Sequence, residues 1–229
     1  MIGHRNYHDN ALVLNGSGAM KSTLNDLKKY LHMYLNLGRT ADGSRILSQY
    51  RVREMCKPRQ PYNGNGAYGY GLSMKQMDDL TIIEHGGSLP GVSSHIAWSY
   101  EADAGVIVLC NTSGVPVGLI SDGLMKVYNG KSPLEKRDTW QETPWSEETR
   151  NAAAGTYLSG EGVTVKLYLK EDGSVGLTEN GTEKPLITVN PCAALVRNPC
   201  SDLFLRLISD EERGIFAIAY GSRMIPRIQ

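Results

Sequence analysis

The sequence predicts an α+β chain in two parts, an antiparallel sheet with flanking helices followed by a small all-β antiparallel barrel. Helical apolar spacing occurs only in the first 130 residues, and alternation of period two sets in at Tyr68. A polar, proline-bearing stretch without apolar periodicity then separates two sets of strands. The expected organisation is a first domain over 1–130, a linker over 131–149 and the barrel over 150–229.

The first helix is expected over 23–37, because Leu24, Leu27, Leu31, Tyr34 and Leu35 share one face while Lys28, Lys29 and His32 take the other. Thr23 with Asp26 three residues on resembles a capping box, and Gly38 offers a left-handed stop. A shorter helix fits 48–57, capped by Ser48 and ended by Pro58, with Tyr50 or Arg51 through Met55 turned inward. Strands follow over 68–75, 80–85, 92–100 and 105–111, punctuated by Asp78-Asp79, Pro90-Gly91 and residues 101–104. Val106 to Leu109 is apolar on both faces and calls for cover on both sides. A helix over 117–128, with Ile120, Leu124 and Val127 as its stripe and Gly130 as its stop, is expected to cover one of them.

Beyond the linker, Val163, Val165, Leu167 and Leu169 alternate with Thr164, Lys166 and Lys170, and turns are marked at Asp172-Gly173 and Asn180-Gly181. Further runs near 184–189, 194–198, 203–208 and 214–220 bring the count to seven or eight strands, enough to close a barrel without an edge.

Composition narrows the partner classes. The 24 basic and 24 acidic residues cancel, so no net field steers the chain to nucleic acid, an anionic membrane or a polyacidic substrate. The longest apolar run, Gly105 to Cys110, is far short of the roughly 20 residues that cross a bilayer. The compartment stays open. Four cysteines suit buried thiols better than a disulfide scaffold, the alternative being a structural Cys192–Cys200 bridge across a hairpin.

The chemistry concentrates in Glu84-His85-Gly86-Gly87-Ser88-Leu89-Pro90-Gly91-Val92-Ser93-Ser94. Glycine weakens a strand and usually marks close approach by a ligand or another backbone, so two glycines after a histidine read either as a substrate-lining strand or as a tight turn with a structural histidine. The stretch is similar to the third active-site motif of β-lactamase-like and penicillin-binding-protein-like serine hydrolases, in its His-Gly-Gly variant found in esterases and D-aminopeptidases. Ser22 to Leu27 resembles the family's capped helix start, Tyr68 to Leu72 its preceding strand and Gly105 to Asn111 its fifth strand. The later barrel is similar to the lipocalin-like domains that follow this core in some relatives.

The resemblance implies a partial β-lactamase-like sheet and a set of roles. The amide of Ser88 becomes one of two oxyanion donors. His85 donates a hydrogen bond to substrate or assists proton transfer, and Gly86 and Gly87 make room for the substrate backbone. No cofactor and no metal are implied, and the partner is a small acyl or peptide-like substrate. The family also needs a Ser-x-x-Lys nucleophile and a Tyr-x-Asn-like motif. Ser-x-x-Lys occurs nowhere in the sequence, and Tyr34-Leu35-Asn36 matches Tyr-x-Asn only in letters, since Tyr34 and Leu35 belong to the apolar stripe of the first helix. The missing motifs are expected before Met1, leaving this chain inactive alone. The alternative is a non-catalytic binding or regulatory module derived from the family. Without the N-terminal segment, Val106 to Leu109 is expected to form an uncovered edge that drives self-association or pairing with that segment.

Two further readings concern histidines. His4 and His8, beside Asp9, have the spacing of a helical metal pair, although a frayed terminus is the plainer account. His95 either faces His85 across the Pro90-Gly91 turn or is a solvated strand residue.

Overall fold

The computed structural model describes residues 18, 20–62, 66–134, 140–198, 202–221 and 223–228. The chain divides into two units, Met1–Gln60 with Tyr68–Glu135, and Pro61–Ala67 with Lys136–Gln229.

In the first unit, helix α1 spans Leu24–Leu35 and opens on Thr23, whose side chain accepts from the Asp26 amide at 3.2 Å. Its stop is a Schellman motif: Gly38 N–H donates to Met33 O at 2.8 Å and Leu37 N–H to Tyr34 O at 3.0 Å. The left-handed residue directly after the cap is therefore Leu37, with φ 49, not Gly38 as the sequence suggests. Gly38 is also left-handed at φ 93, and a Cβ there would meet Leu47 O at 2.0 Å. Helix α2, Gln49–Met55, is capped by Ser48, and it buries Val52 while Tyr50 points to solvent.

The strands β1 (Gln60–Tyr62), β2 (Gly66–Tyr68), β3 (Ser73–Met77), β4 (Leu80–Leu89), β5 (Val92–Ser99) and β6 (Ala104–Cys110) form a six-stranded sheet in strictly sequential order. The run expected over 68–75 is split, because Gly71 at φ 72 and the Gly69 N–H to Leu72 O bond bend the chain between β2 and β3. The meander itself is as expected, with β3, β4, β5 and β6 paired antiparallel.

Register assigns the two faces. Lys75, Ile82, Glu84, Gly86, His95, Ala97 and Val106 share one, and Ile83, His85, Gly87, Ser94, Ile96, Trp98 and Gly105 share the other. Helix α1 lies on the second face, where Tyr34 stacks on Trp98 at 4.7 Å and Leu31 fills the space above Gly105. Helix α3, Val117–Tyr128, lies on the first, where Met125 joins Leu80, Ile82 and Ala97 in a buried cluster. The strand predicted to need cover on both sides thus has a helix on each. The face of α3 that does the covering is not the expected one: Val117, Ser121 and Met125 turn inward, while Ile120, Leu124 and Val127 are 42% to 54% exposed. Asp122 explains the rotation, because the inner-side acid finds Lys75 beneath it at 2.8 Å.

In the second unit, Trp145 is buried and donates its indole N–H to Asn190 O at 2.9 Å, and helix α4, Glu147–Ala153, starts at a Ser146 cap. Nine strands follow among the described residues. β7 (Gly155–Leu158), β8 (Thr164–Leu169), β9 (Val175–Glu179) and β10 (Thr182–Lys184) form one sheet, and β11 (Leu186–Asn190), β12 (Ala193–Val196), β13 (Leu203–Asp210), β14 (Gly214–Tyr220) and β15 (Arg223–Pro226) the other. Asn180 and Gly181, both at positive φ, make the two-residue turn between β9 and β10.

The expected closed barrel is not formed. Pro185, which has no amide to give a ladder, stands between β10 and β11 and ends one sheet where the other begins. On the opposite flank the two sheets meet, among the described residues, through the isolated bridge Tyr157↔Arg227. Tyr157, Val165, Leu167 and Leu177 from one sheet and Val196, Leu205, Ile218 and Ile225 from the other fill a common core. Cys192 is a free thiol, whereas Cys200 and the His4, His8 and Asp9 group lie outside the described residues. Among the described residues no helix is long and apolar enough to cross a membrane.

Met125 is the fully buried apolar side chain by which α3 grips the sheet. Met125→Ala is expected to destabilise the first unit by about 2–5 kcal/mol, read as a lowered urea midpoint.

Candidate functional site

The candidate site is the outer half of β4. Pairing with β3 ends at Ser73↔Glu84, whereas pairing with β5 continues to Leu89↔Val92. From His85 to Leu89 the outer edge of β4 therefore has no strand beside it among the described residues, and His85, Gly86, Gly87 and Ser88 are all exposed.

Backbone direction follows from the hairpin. Leu89↔Val92 closes the two-residue Pro90-Gly91 turn, with Gly91 at φ 88. Bonded and non-bonded pairs alternate inward from that closing pair, so His85 and Gly87 bond to β5 while Gly86 and Ser88 aim their N–H and C=O groups outward. The same alternation turns the Glu84 carbonyl outward, where it accepts from Ser73 Oγ at 3.1 Å. Beside the strand lies a cavity of about 330 Å³, lined by Gly86, Gly87, Ser88, Ser93, Ser94, Gly114, Val115 and Val117. The turn end is tied down by Gly91 N–H donating to Ser113 Oγ at 2.6 Å and by Ser93 Oγ donating to Thr112 O at 2.9 Å.

The predicted residues His85, Gly86, Gly87 and Ser88 thus fall together on one exposed strand. The glycines also have an internal reason: a Cβ at Gly87 would meet Ser94 Oγ at 2.7 Å, and one at Gly86 would meet His95 Cδ2 at 3.4 Å. His95 does not face His85. It lies opposite Gly86 while His85 lies opposite Ile96, which places the two rings on different faces, and His95 is 8% exposed rather than solvated. Tyr34 of the Tyr-x-Asn match is buried against Trp98, and burial together with the Tyr30 hydroxyl raises its pKa.

Beneath the strand lies a charged group that the motif reading missed. Lys75 Nζ sits 2.9 Å from Glu84 Oε2 and 2.8 Å from Asp122 Oδ1, and Glu84 Oε2 is 3.7 Å from His95 Nε2. Burial disfavours the Lys75 ammonium, but the two carboxylates outweigh it and its pKa is raised. This cluster joins β3, β4, β5 and α3 one residue before His85. Its signal in the sequence is Asp122, the one acid of α3, on the side that also presents Met125. No group of His, Cys, Asp and Glu suited to a metal occurs among the described residues.

The family model described as Beta-lactamase matches residues 2–129, more than half of the chain. No curated protein matches. Among solved structures, SurE with D-Leu is similar at 16% identity and TM-score 0.60, covering 80% of this chain and 44% of that one. The octameric penicillin-binding protein homologue from Pyrococcus abyssi is 21% identical with TM-score 0.46, covering 89% of this chain and 46% of its own. The chain therefore spans less than half the length of these solved proteins. The likeness to SurE shows a shared fold.

His95 gives the cluster a pH dependence on the acid side. Its pKa is lowered from 6.5 first by burial and further by Lys75 and His85, against the opposing pull of Glu84 and Asp122. A depressed value means that His95 contributes stability above about pH 6.5 and that the contribution is lost as pH falls through the folded-state value. His95→Gln is expected to remove that acid-side loss, measured as urea midpoints at about pH 7.5 and 5.5; parallel losses in both proteins would exclude His95 as the source.

Proposed function

The chain belongs to the β-lactamase family, and from that premise we propose that it supplies the substrate-lining wall of a serine hydrolase. The reaction is acyl transfer to water from an ester, amide or peptide-like substrate through an acyl-serine. The observation that carries this reading is the open outer edge of β4, where Gly86 and Ser88 direct their backbone N–H and C=O groups away from β5 with no strand to receive them among the described residues. On this reading a substrate carbonyl lies against the Ser88 amide, which shares its developing negative charge with the amide of the nucleophile. An extended substrate backbone passes over Gly86 and Gly87, and His85 borders the reacting carbonyl. The nucleophilic serine and its activating lysine come from polypeptide outside this sequence, which holds no Ser-x-x-Lys. That same lack favours a second reading, a non-catalytic binding module that keeps the wall without the chemistry.

One labelling experiment separates the two. The polypeptide that carries this chain together with a Ser-x-x-Lys segment is expected to be covalently labelled by a fluorophosphonate or penicillin probe; SurE's D-Leu adds a D-amino-acid ester to the probes. Ser88→Pro deletes the outward amide at a position where the ladder to β5 does not need it. It is expected to slow labelling by about 10²–10³. Reversible binding of the probe with no covalent label supports the binding module instead.

We also propose that the chain pairs with a second copy of itself through β6. This strand is the last of its sheet, carries no charged side chain, and has Leu109 44% exposed at its end. It has none of the charges, prolines or bulges that protect an edge. Antiparallel pairing about a two-fold axis at Ile107 meets no like-charge repulsion and sets Leu109 opposite Gly105 of the second copy. The chain is expected to sediment as a dimer at micromolar concentration and Leu109→Lys as a monomer with an unchanged circular dichroism spectrum. A wild-type monomer at the highest concentration reached overturns the pairing.

A further inference from the structure

The histidine of the site strand is open to two roles, proton acceptor or hydrogen-bond donor, and its neighbour decides between them. Tyr68 Oη lies 3.0 Å from His85 Nε2, with the two rings edge to face at 69°. The hydroxyl is presented by a fixed stretch of backbone. Tyr68 ends β2 and its carbonyl accepts from Arg59 N–H at 3.0 Å. The next residue, Gly69, is pressed so closely onto the end of α2 that a Cβ would meet Met55 O at 2.3 Å. The bend that follows delivers Ser73 opposite Glu84, which is where the cover on β4 stops. Tyr68 thus stands at the boundary between the paired and the open halves of the site strand.

We infer that Tyr68 is a positioning residue that holds His85 in the tautomer protonated on Nδ1, so that His85 meets substrate as a hydrogen-bond donor and not as a general base. The argument is one of relative acidity. A phenol, with a pKa of about 10, is a stronger acid than the N–H of a neutral imidazole, and the imidazole nitrogen is a far stronger base than a phenol oxygen. The bond therefore runs from the Tyr68 hydroxyl to the Nε2 lone pair. With that lone pair engaged, the ring proton of neutral His85 resides on Nδ1, and the basic nitrogen is not available to accept a proton from a nucleophile or water. The division of labour follows: activation of the serine is left wholly to groups outside this strand, and His85 helps to polarise or orient the substrate. This inference rests on the reading of β4 as a substrate wall, which gives the donor something to act on.

The test uses this chain as it is and requires no activity. Long-range nitrogen–proton NMR correlations of the imidazoles, recorded about one and a half pH units above the ordinary histidine pKa, report which nitrogen of His85 bears the proton. Wild type is expected to show Nδ1–H. Tyr68→Phe is expected to reverse the tautomer ratio in favour of Nε2–H. Tyr70→Phe, which alters the neighbouring ring that packs under the Arg59 guanidinium at 4.2 Å, serves as control and is expected to leave it unchanged. An Nε2–H tautomer in wild type, or an unchanged Nδ1–H form in Tyr68→Phe, overturns the inference. Failure of the hydrolase reading would appear in the labelling experiment and leave these spectra as expected, so the two failures are distinguishable.

Discussion

A slip of one residue between β4 and β5 would exchange the two faces of the site strand and, with them, every property of the site. In the register observed, Glu84 drops toward Lys75 and α3 while His85 rises beside Tyr68. Register is therefore the constraint on which the rest depends. Three devices fix it: the Pro90-Gly91 turn counts residues at one end, the Glu84–Lys75–Asp122 ion group anchors the middle, and Ile82 with Ala97 must reach the core that holds Met125. The net stabilisation from the ion group is small, because removing its members from water costs much of what their attraction returns. One residue of error would bury the imidazole of His85 and leave Glu84 in the open.

How far the sequence disclosed this depends on the range of each interaction. The meander, the Thr23 and Ser48 caps and the Pro90-Gly91 turn were legible because they are written in neighbouring residues: a two-residue turn, a cap three residues from its partner, an alternation of period two; the motif strand was expected to stop at His85, whereas β4 runs on to Leu89. The orientation of α3 was not. Its apolar side chains are distributed almost all round, so periodicity points equally to Ile120, Leu124 and Val127 and to Val117 and Met125. What decides is Lys75, 47 residues away in the chain, which draws Asp122 inward. His95 was misread on the count: His85 stands five residues before the turn and His95 four after it, which pairs His95 with Gly86, and its burial comes from α3 later in the chain. The motif named the strand, but the backbone direction of Ser88 needed the register.

The second unit shows what strand counting leaves out. Alternation and turn residues announced an all-β fold, and its core is indeed filled from two sides by inward-facing Tyr157, Leu167, Leu177, Leu205 and Ile218. Closure, however, is a property of the seams. A three-residue β10 followed at once by Pro185 cannot carry a continuous ladder into β11, and one bridge at Tyr157 and Arg227 does not zip the other flank. A barrel needs both seams zipped, and a proline stands in one of them.

The three sheets share a trait whose effect is felt in time rather than in space. Each orders its strands as they leave the ribosome, β1 to β6, β7 to β10 and β11 to β15, and none inserts a late strand between earlier ones. Every ladder therefore closes a short loop, and the entropic toll of bringing distant segments together is small at each step. Assembly can proceed hairpin by hairpin, with each finished strand templating its successor and no half-built sheet waiting for a far-off partner.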